Sequence, residues 1–325
     1  MNIAEIAKLA GVSSAAVSRY FNNGYISEAK KEAIRKVVEE TGYHPSMQAQ
    51  TLRTRKTKLA GVIAPKMSFD HVGKIIDGIH MQFEEDNYGM LLAVTGDEPE
   101  KEPYYLDEFD KRADGVILIS TVITPEHRKK IRNLSVPIVM IGQHPEGYPC
   151  VYYDDCRATY DLTRKVLQKE RSRLVFLGIQ LQDPAAGRER LRGYEQAVRD
   201  AGFPELAERY LVSPVSVEAG AEKMNKALDL FGVPDGVVCA ADEIAAGALR
   251  CLLDHGIRVP EDTVVAGQGD SELIRAAGHD ILTVHYSYER SGELAARMLV
   301  RMMKGGQDVP QEVMLPHHLV EPGQS

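Results

Sequence analysis

The sequence lacks the features of membrane-spanning, secreted and disulfide-stabilised proteins. No apolar run approaches the ~18 residues of a transmembrane helix. The N-terminus lacks the basic-then-apolar layout of a signal peptide. The four cysteines form no CxxC pair and show no zinc-ligand spacing. We therefore expect a cytoplasmic protein with reduced thiols, no metal site and no membrane association.

Common catalytic and nucleotide-binding motifs are also missing. The chain contains no GxSxG, P-loop or HExxH motif, and no GxGxxG follows a first strand. The ten histidines are scattered, and His317 and His318 fall in a predicted terminal strand rather than a metal cluster. These absences favour a non-enzymatic protein without a cofactor.

The charge is distributed unevenly along the 325 residues. Residues 1–58 hold ten Lys/Arg and five Asp/Glu, a net charge of +5. The whole chain has a net charge of −8, so residues 59–325 together carry −13. A basic N-terminal segment on an acidic body indicates a polyanionic partner for that segment alone.

The N-terminal segment has the pattern of a helix-turn-helix. Asn2 is suited to cap a first helix with Glu5 in a capping box, and Gly11 is suited to end it. Ser13 then caps a predicted second helix, 14–21, with inner residues Ala16, Val17 and Tyr20. The outer face of this helix is small or basic, which suits the major groove; it consists of Ser14, Ala15, Ser18 and Arg19.

A third helix and a basic segment complete this head. The third helix is predicted to begin after Ser27 and end at Gly42, with apolar positions Ala29, Ala33, Val37 and Val38. The following segment, 46–53, is too short to be stable alone, and we expect it to form a helix only on DNA. A plain three-helix bundle without a DNA role is the alternative.

The head resembles the DNA-binding region of the lactose-repressor (LacI/GalR) family of bacterial transcription regulators. The matching motifs are IAxLAGVSxxxVSRxxN and GYxPxxxAxxLR. The resemblance implies that Ser14 and Ala15 read bases, that Arg19 contacts a base or phosphate, and that Leu52 wedges into the minor groove. The alternative for Leu52 is packing on the body. The predicted DNA contacts are Ser14, Ala15, Ser18, Arg19, Asn22, Leu52 and Arg53.

From residue 59 onward, short apolar runs alternate with amphipathic helical patterns in two successive series. This alternation predicts two Rossmann-like parallel sheets with helices on both faces. It matches the periplasmic-binding-protein-like sugar sensor of the same family. The predicted fold is therefore an all-α helix-turn-helix head plus an α/β two-lobed sensor. The predicted boundaries are 1–45 for the head, 46–58 for the hinge, 59–156 and 288–313 for the N-lobe, and 157–287 and 314–325 for the C-lobe.

Ligands bind at the carboxyl ends of parallel strands, and the candidate residues occupy those positions. Asp154 or Asp155 could face the cleft, but either is equally suited to cap the helix that follows. For Asp242, too, capping a helix is the alternative to binding a ligand. The resemblance assigns a ligand-binding arginine to Arg190. The predicted ligand-binding residues are Lys66, Ser68, Phe69, Ser120, Gln143, Tyr153, Arg190, Asp242, Tyr286 and Tyr288.

Two departures from the family pattern reduce the range of candidate ligands. Ala241-Asp242 replaces a frequent Asn-Asp, and Gly269 stands where an Asp is common. These features resemble the trehalose-repressor branch, in which a basic residue at the position of Lys66 helps to hold a sugar phosphate. Lys66 and Arg190 would then clamp a phosphate. The candidate effectors are trehalose, trehalose-6-phosphate or a sucrose-type sugar.

The resemblance implies a mechanism. A homodimer binds a palindromic operator duplex, and a sugar in the interlobe cleft releases it, as in a repressor of carbohydrate-use genes. Two alternatives stay open: a ligand-activated, corepressor-type regulator, or a cleft-binding sugar enzyme with an accessory head.

Overall fold

The computed structural model of the protein describes residues 1–21, 24–43, 56–168, 172–278, 281–306, 308–309 and 311–321. The chain divides into two compact units, Met1–Lys58 and Leu59–Ser325. In the described ranges, no helix is both long and apolar enough to cross a membrane.

Three helices form the first unit: α1 (Ile3–Leu9), α2 (Ser14–Phe21) and α3 (Glu28–Thr41). The Asn2 side chain accepts hydrogen bonds from the backbone N–H groups of Ala4 and Glu5, and Glu5 completes the predicted capping box. Gly11 allows the tight turn into α2 because its φ of +63° is unfavourable for other residues. The predicted helix-turn-helix geometry is therefore present.

The core of this unit differs in one element from the prediction. Ile6, Val17 and Ile34 are fully buried in one apolar cluster. Ile34 was not among the predicted inner positions of α3, whereas Ala29, which was, is exposed. A branched side chain in the middle of the helix fills the space against α1 and α2, and a small alanine in its first turn does not.

The second unit contains the alternating elements that the sequence predicts. In chain order they are β1 (Leu59–Ala64), α4 (Asp70–Glu85), β2 (Gly89–Val94), α5 (Glu102–Arg112), β3 (Val116–Ile119), α6 (Pro125–Arg132), β4 (Ile138–Ile141), β5 (Cys150–Tyr153), α7 (Asp155–Leu167), β6 (Leu174–Gly178), α8 (Arg190–Asp200), β7 (Tyr210–Val212), α9 (Val217–Phe231), β8 (Gly236–Cys239), α10 (Asp242–Asp254), β9 (Val264–Ala266), α11 (Glu272–Ala276), β10 (Thr283–Tyr286), α12 (Tyr288–Met303), β11 (Glu312–Leu315) and β12 (His317–Val320). Short 3₁₀ helices span Pro99–Lys101 and Pro204–Glu208, and a π-helical turn spans Pro184–Glu189.

These strands form two parallel sheets, one in each lobe. The N-lobe sheet has the order β11-β5-β4-β3-β1-β2, and the C-lobe sheet has the order β7-β6-β8-β9. A parallel bridge from Ala266 to Leu282 and the antiparallel pair β10-β12 extend the C-lobe. The central strands β3, β4, β6 and β8 are buried along their whole length, as expected for sheets covered on both faces. The predicted fold class is confirmed.

The last crossing between the lobes lies later than the predicted 313/314 boundary. Strand β11 pairs with β5 as far as Leu315, opposite Tyr153, and β12 then pairs with β10 from His317. His317 and His318 lie in β12, the predicted terminal strand. Pro316 separates it from β11, because proline has no N–H to continue a ladder. Strands β5 and β10 end at the other two crossings, so Tyr153 and Tyr286 lie where the lobes join.

Candidate functional site

Helix α2 exposes the face that the sequence assigns to DNA. Ser14, Ala15 and Arg19 are exposed and Ser18 is partly exposed, while Ala16 and Val17 are buried beneath them. The exposed groups are two hydroxyls, a methyl and one guanidinium, which are chemically suited to base edges and phosphates. Asn22, Leu52, Arg53 and the predicted hinge segment 46–53 lie outside the described residues.

A cavity of about 430 Å³ opens between the carboxyl ends of the strands of the two lobes. Eight of the ten predicted ligand-binding residues line it: Lys66, Phe69, Ser120, Gln143, Tyr153, Arg190, Asp242 and Tyr288. Its position and volume, within the range of roughly 300–1,000 Å³ typical of small-molecule sites, agree with the expected cleft.

The other two predicted residues, Ser68 and Tyr286, do not line the cavity. Ser68 is exposed to solvent before α4. Tyr286 is 1% exposed, and its hydroxyl donates a 2.8 Å hydrogen bond to Oε1 of Gln268. Both lie beside strand ends, but neither side chain lines the cavity. Tyr286 instead supports Arg190, whose guanidinium carbon lies 5.2 Å from the ring centroid.

Arg190 is held by a buried network at the base of the cavity. Its Nε donates to Oδ1 of Asp155 at 2.7 Å and its Nη1 donates to the carbonyl of Ala240 at 2.5 Å. Burial alone would lower the pKa of Arg190, but Tyr286 and Asp155 raise it. The guanidinium is therefore a permanent cation with a buried counter-ion.

Asp154 and Asp155 are adjacent acids, and the sequence did not decide which of them caps the helix and which faces the cavity. Asp154 caps α7 by accepting a 2.9 Å hydrogen bond from the N–H of Arg157. Asp155 is 5% exposed, lines the cavity and pairs with Arg190. Capping therefore belongs to Asp154 and the cavity contact to Asp155.

Asp242 is not the N-cap of α10; Ala241 holds that position. Its carboxylate accepts hydrogen bonds from the N–H of Ser271 at 2.8 Å and from the hydroxyl of Thr283 at 2.8 Å. Burial raises the pKa of Asp242, and the hydrogen bonds partly offset this. Gly269 has a φ of +141°, and a Cβ there would lie 3.2 Å from Oδ2 of Asp242. A side chain at position 269 would therefore meet Asp242 and would also need an unfavourable φ.

Two lining residues, Ser120 and Gln143, form side-chain hydrogen bonds with buried polar residues. The Ser120 hydroxyl donates to Oε2 of Glu102 at 2.7 Å, and the same oxygen lies 2.9 Å from Nε2 of the buried His127. Gln143 reaches from the N-lobe to the C-lobe, and its Nε2 donates to Oδ1 of Asp183 at 2.9 Å. Burial raises the pKa of Asp183 to about 6, with Gln143 acting in the opposite direction.

Aromatic rings line the N-lobe side of the cavity. Phe69 stacks on His71, and His71 lies 5.3 Å from Tyr288. The Nζ of Lys66 lies 5.5 Å from the Phe69 centroid. Burial, and then the nearby Arg190, lower the pKa of His71 to about 4. The ring is therefore neutral near pH 7 and presents an apolar face suited to stacking on a sugar.

Several lining residues were not predicted from the sequence. They are mainly acidic or amide side chains: Asp70, Asp97, Gln180, Asp183, Glu243 and Gln268. Gln180 and Gln268 follow buried strands, so the strand-end rule could have found them. Asp183 caps the π-helical turn through the N–H groups of Ala185 and Ala186, and nothing in the local sequence indicates its contact with Gln143.

Known proteins share both units. A model described as "Bacterial regulatory proteins, lacI family" matches residues 2–46, and one described as "Periplasmic binding protein-like domain" matches residues 164–325. The HTH-type transcriptional regulator RegA of Clostridium saccharobutylicum is 30% identical over 324 residues, covering 98% of each chain. The sucrose operon repressor of Staphylococcus xylosus is 29% identical over 307 residues, covering 93% of this chain and 94% of that protein. The solved "transcriptional regulator CelR-cellobiose complex" is 27% identical, covers 100% of both chains and superposes with a TM-score of 0.75.

Proposed function

Because the chain belongs to the lacI family of bacterial regulatory proteins, we propose that it represses carbohydrate-use genes and is released from its operator by a small sugar. It is a DNA-binding transcriptional regulator and not an enzyme. The proposal depends above all on a cavity lined from both lobes in a chain that also carries a helix-turn-helix head. The place of action is the cytoplasm.

The proposed effector is a disaccharide or a disaccharide phosphate of the trehalose or sucrose type. Two similar proteins are named for disaccharides, the sucrose operon repressor and the cellobiose complex. In this chain, Tyr288 and Phe69 offer ring faces for stacking, while Arg190 offers a donor to hydroxyl oxygens. The trehalose-type assignment remains a proposal from the sequence motifs around Lys66 and Arg190.

The proposed DNA target is a palindromic duplex bound by a homodimer. Edge strand β2 exposes Leu92 and Val94, each 41% exposed, on the outside of the N-lobe sheet. A second copy covering this apolar strip would give a homodimer that carries two heads. The residues proposed to reach the bases are Ser14 and Ala15, with Ser18 and Arg19 alongside. In the hinge, Leu52 is proposed to enter the minor groove and Arg53 to contact the DNA.

Sugar binding is proposed to favour an arrangement of the lobes in which the hinge no longer holds DNA. The opposite sign, in which the sugar strengthens operator binding, is the alternative. Pairs such as Gln143 and Asp183, which join the lobes directly across the cleft, give a ligand a means of changing the lobe arrangement.

A duplex selection tests the DNA-binding assignment. Full-length protein is used to enrich a random duplex library, and the enriched sequence is compared with a shuffled duplex by fluorescence anisotropy. We expect tight binding to a palindromic sequence and its loss in a chain that begins at residue 59. Equal binding of the shortened chain, or no preference over the shuffled duplex, would refute the assignment.

A further inference from the structure

We infer that the cleft selects its effector by charge: it accepts an uncharged polyhydroxyl sugar and rejects the corresponding sugar phosphate. This inference rests on the proposed function and narrows its effector class. It starts from the charges around the cavity. Two cationic side chains, Lys66 and Arg190, line the cavity with six carboxylates, which are Asp70, Asp97, Asp155, Asp183, Asp242 and Glu243.

Arg190 cannot act as a free phosphate-binding cation, because Asp155 already neutralises it. The two side chains are 10% and 5% exposed and their atoms are 2.7 Å apart. A phosphate that approached Arg190 would also approach Asp155, and burial leaves little water to screen that repulsion. Its Nε and Nη1 donate to Asp155 and Ala240, and its Nη2 forms no hydrogen bond with any described residue. That nitrogen suits a neutral hydroxyl or ring oxygen.

Lys66 lies close enough to Asp97 for the two charges to influence each other. Burial raises the pKa of Asp97, and the nearby Lys66 partly offsets this. The Asp97 carboxylate forms no side-chain hydrogen bond with another described residue, so its charge stays available to oppose an anion. His71 is neutral near pH 7 and adds no positive charge. The split cationic clamp expected from the sequence therefore has acids beside both of its members.

The C-lobe side adds further negative charge. Asp183, Asp242 and Glu243 are each partly or wholly buried there. Burial raises the pKa of Glu243, and the negative charges of Asp242 and Asp70 raise it further. The last of these interactions spans the cleft, since Asp70 begins α4 in the N-lobe. A sugar phosphate, carrying about −1.5 to −2 near pH 7, would enter an acidic cavity, whereas hydroxyl groups would find carboxylate acceptors.

Calorimetry on the full-length protein tests the inference with matched pairs. The probes are trehalose and trehalose-6-phosphate, sucrose and sucrose-6-phosphate, and cellobiose and cellobiose-6-phosphate. We expect at least one uncharged sugar to bind and its phosphate to bind at least about tenfold more weakly. A phosphate that binds as tightly as its parent would overturn the inference, and so would a failure of all three uncharged sugars to bind.

A pair of variants assigns the discrimination to the cavity. Asp97→Asn removes one lining charge, and asparagine accepts the local φ of +67° well, so the fold is retained. Asp229→Asn on the exposed surface of α9 is the matched control. We expect Asp97→Asn to reduce the preference for the uncharged sugar severalfold and Asp229→Asn to leave it unchanged. Equal preferences in both variants would contradict the assignment to the cavity.

The outcomes separate this inference from the proposed function. If a sugar phosphate binds best and also releases the operator, charge selection fails while the sugar-responsive regulator stands. If neither sugars nor phosphates alter operator binding, the proposed function fails, whatever the calorimetric preference.

Discussion

In the head, Ser14, Ala15 and Arg19 lie exposed on one face of an eight-residue helix. In the sensor, Asp155, Asp183 and Arg190 are each less than a tenth exposed and take partners far away in the sequence. The candidate DNA contacts of the head are therefore determined by a short local sequence pattern. The contacts of the cleft depend on which distant strand ends the fold brings together.

The largest expected effect is on the free energy of unfolding, when the buried pair Asp155–Arg190 of the sensor is broken. Asp155→Ala leaves Arg190 as an uncompensated buried cation, and we expect a loss of about 3–5 kcal/mol in the free energy of unfolding. Asp154→Ala removes only a helix cap and is expected to cost about 1 kcal/mol. Urea unfolding of both variants measures the difference. Equal costs would show that the pair does not stabilise the sensor as described.

A smaller and pH-dependent effect is expected at Asp183. Its pKa is about 6 in the fold against an ordinary 3.8. An acid whose pKa is raised by folding destabilises the fold when ionised. The penalty is complete above about pH 6 and disappears below about pH 4. Asp183→Asn should therefore be more stable than the parent at about pH 7.5, by up to about 3 kcal/mol, and no more stable at about pH 4.

Asp270 is a control for Asp183, because folding lowers its pKa instead of raising it. Burial raises its pKa, but the hydrogen bond and charge of His285 and the charge of Arg275 outweigh burial and lower it. An acid of this kind stabilises the fold when ionised and loses that contribution as the pH falls. Asp270→Asn should therefore lower stability near neutral pH and cost less in acid. If both variants change stability in the same direction at neutral pH, the account of the cleft acids is wrong.

The sequence predicted the helices and strands well because hydrophobic periodicity is local. The helix over 14–21 has the predicted limits, and the strand-end rule placed Lys66 and Gln143 at the cavity. It could not give side-chain direction, so Ser68 and Tyr286 were assigned to a cavity that they do not line.

The pairing of charges was equally out of reach of the sequence. Arg190 could be recognised from its motif, but its neutralisation by Asp155 joins positions 35 residues apart. That contact changes Arg190 from a phosphate clamp into a donor with its charge already balanced. In the head, the fully buried Ile34 was missed because two small residues at helical spacing gave an equally plausible inner face.

The smallest effect in free energy, yet a decisive one for function, is expected in the head. Arg19→Ala should weaken operator binding by about 1–3 kcal/mol, with sugar binding unchanged because the cavity lies in the other unit. Arg35→Ala removes the same charge from α3, where Arg35 is paired with Glu32, and should weaken binding much less. Anisotropy titrations of both variants on the selected duplex provide the comparison. Equal losses would mean that α2 contributes only net charge.

The measurement that tests the account most directly is a titration of operator binding against an uncharged sugar in the full-length protein. Binding of sugar in the cleft is predicted to lower operator affinity by at least about fivefold, within the usual range for coupled sites. A chain carrying Asp155→Asn together with Arg190→Gln, which leaves no unpaired buried charge, should bind the operator and lose this response. An operator affinity that stays constant, or rises, as an uncharged sugar fills the cleft would contradict the account.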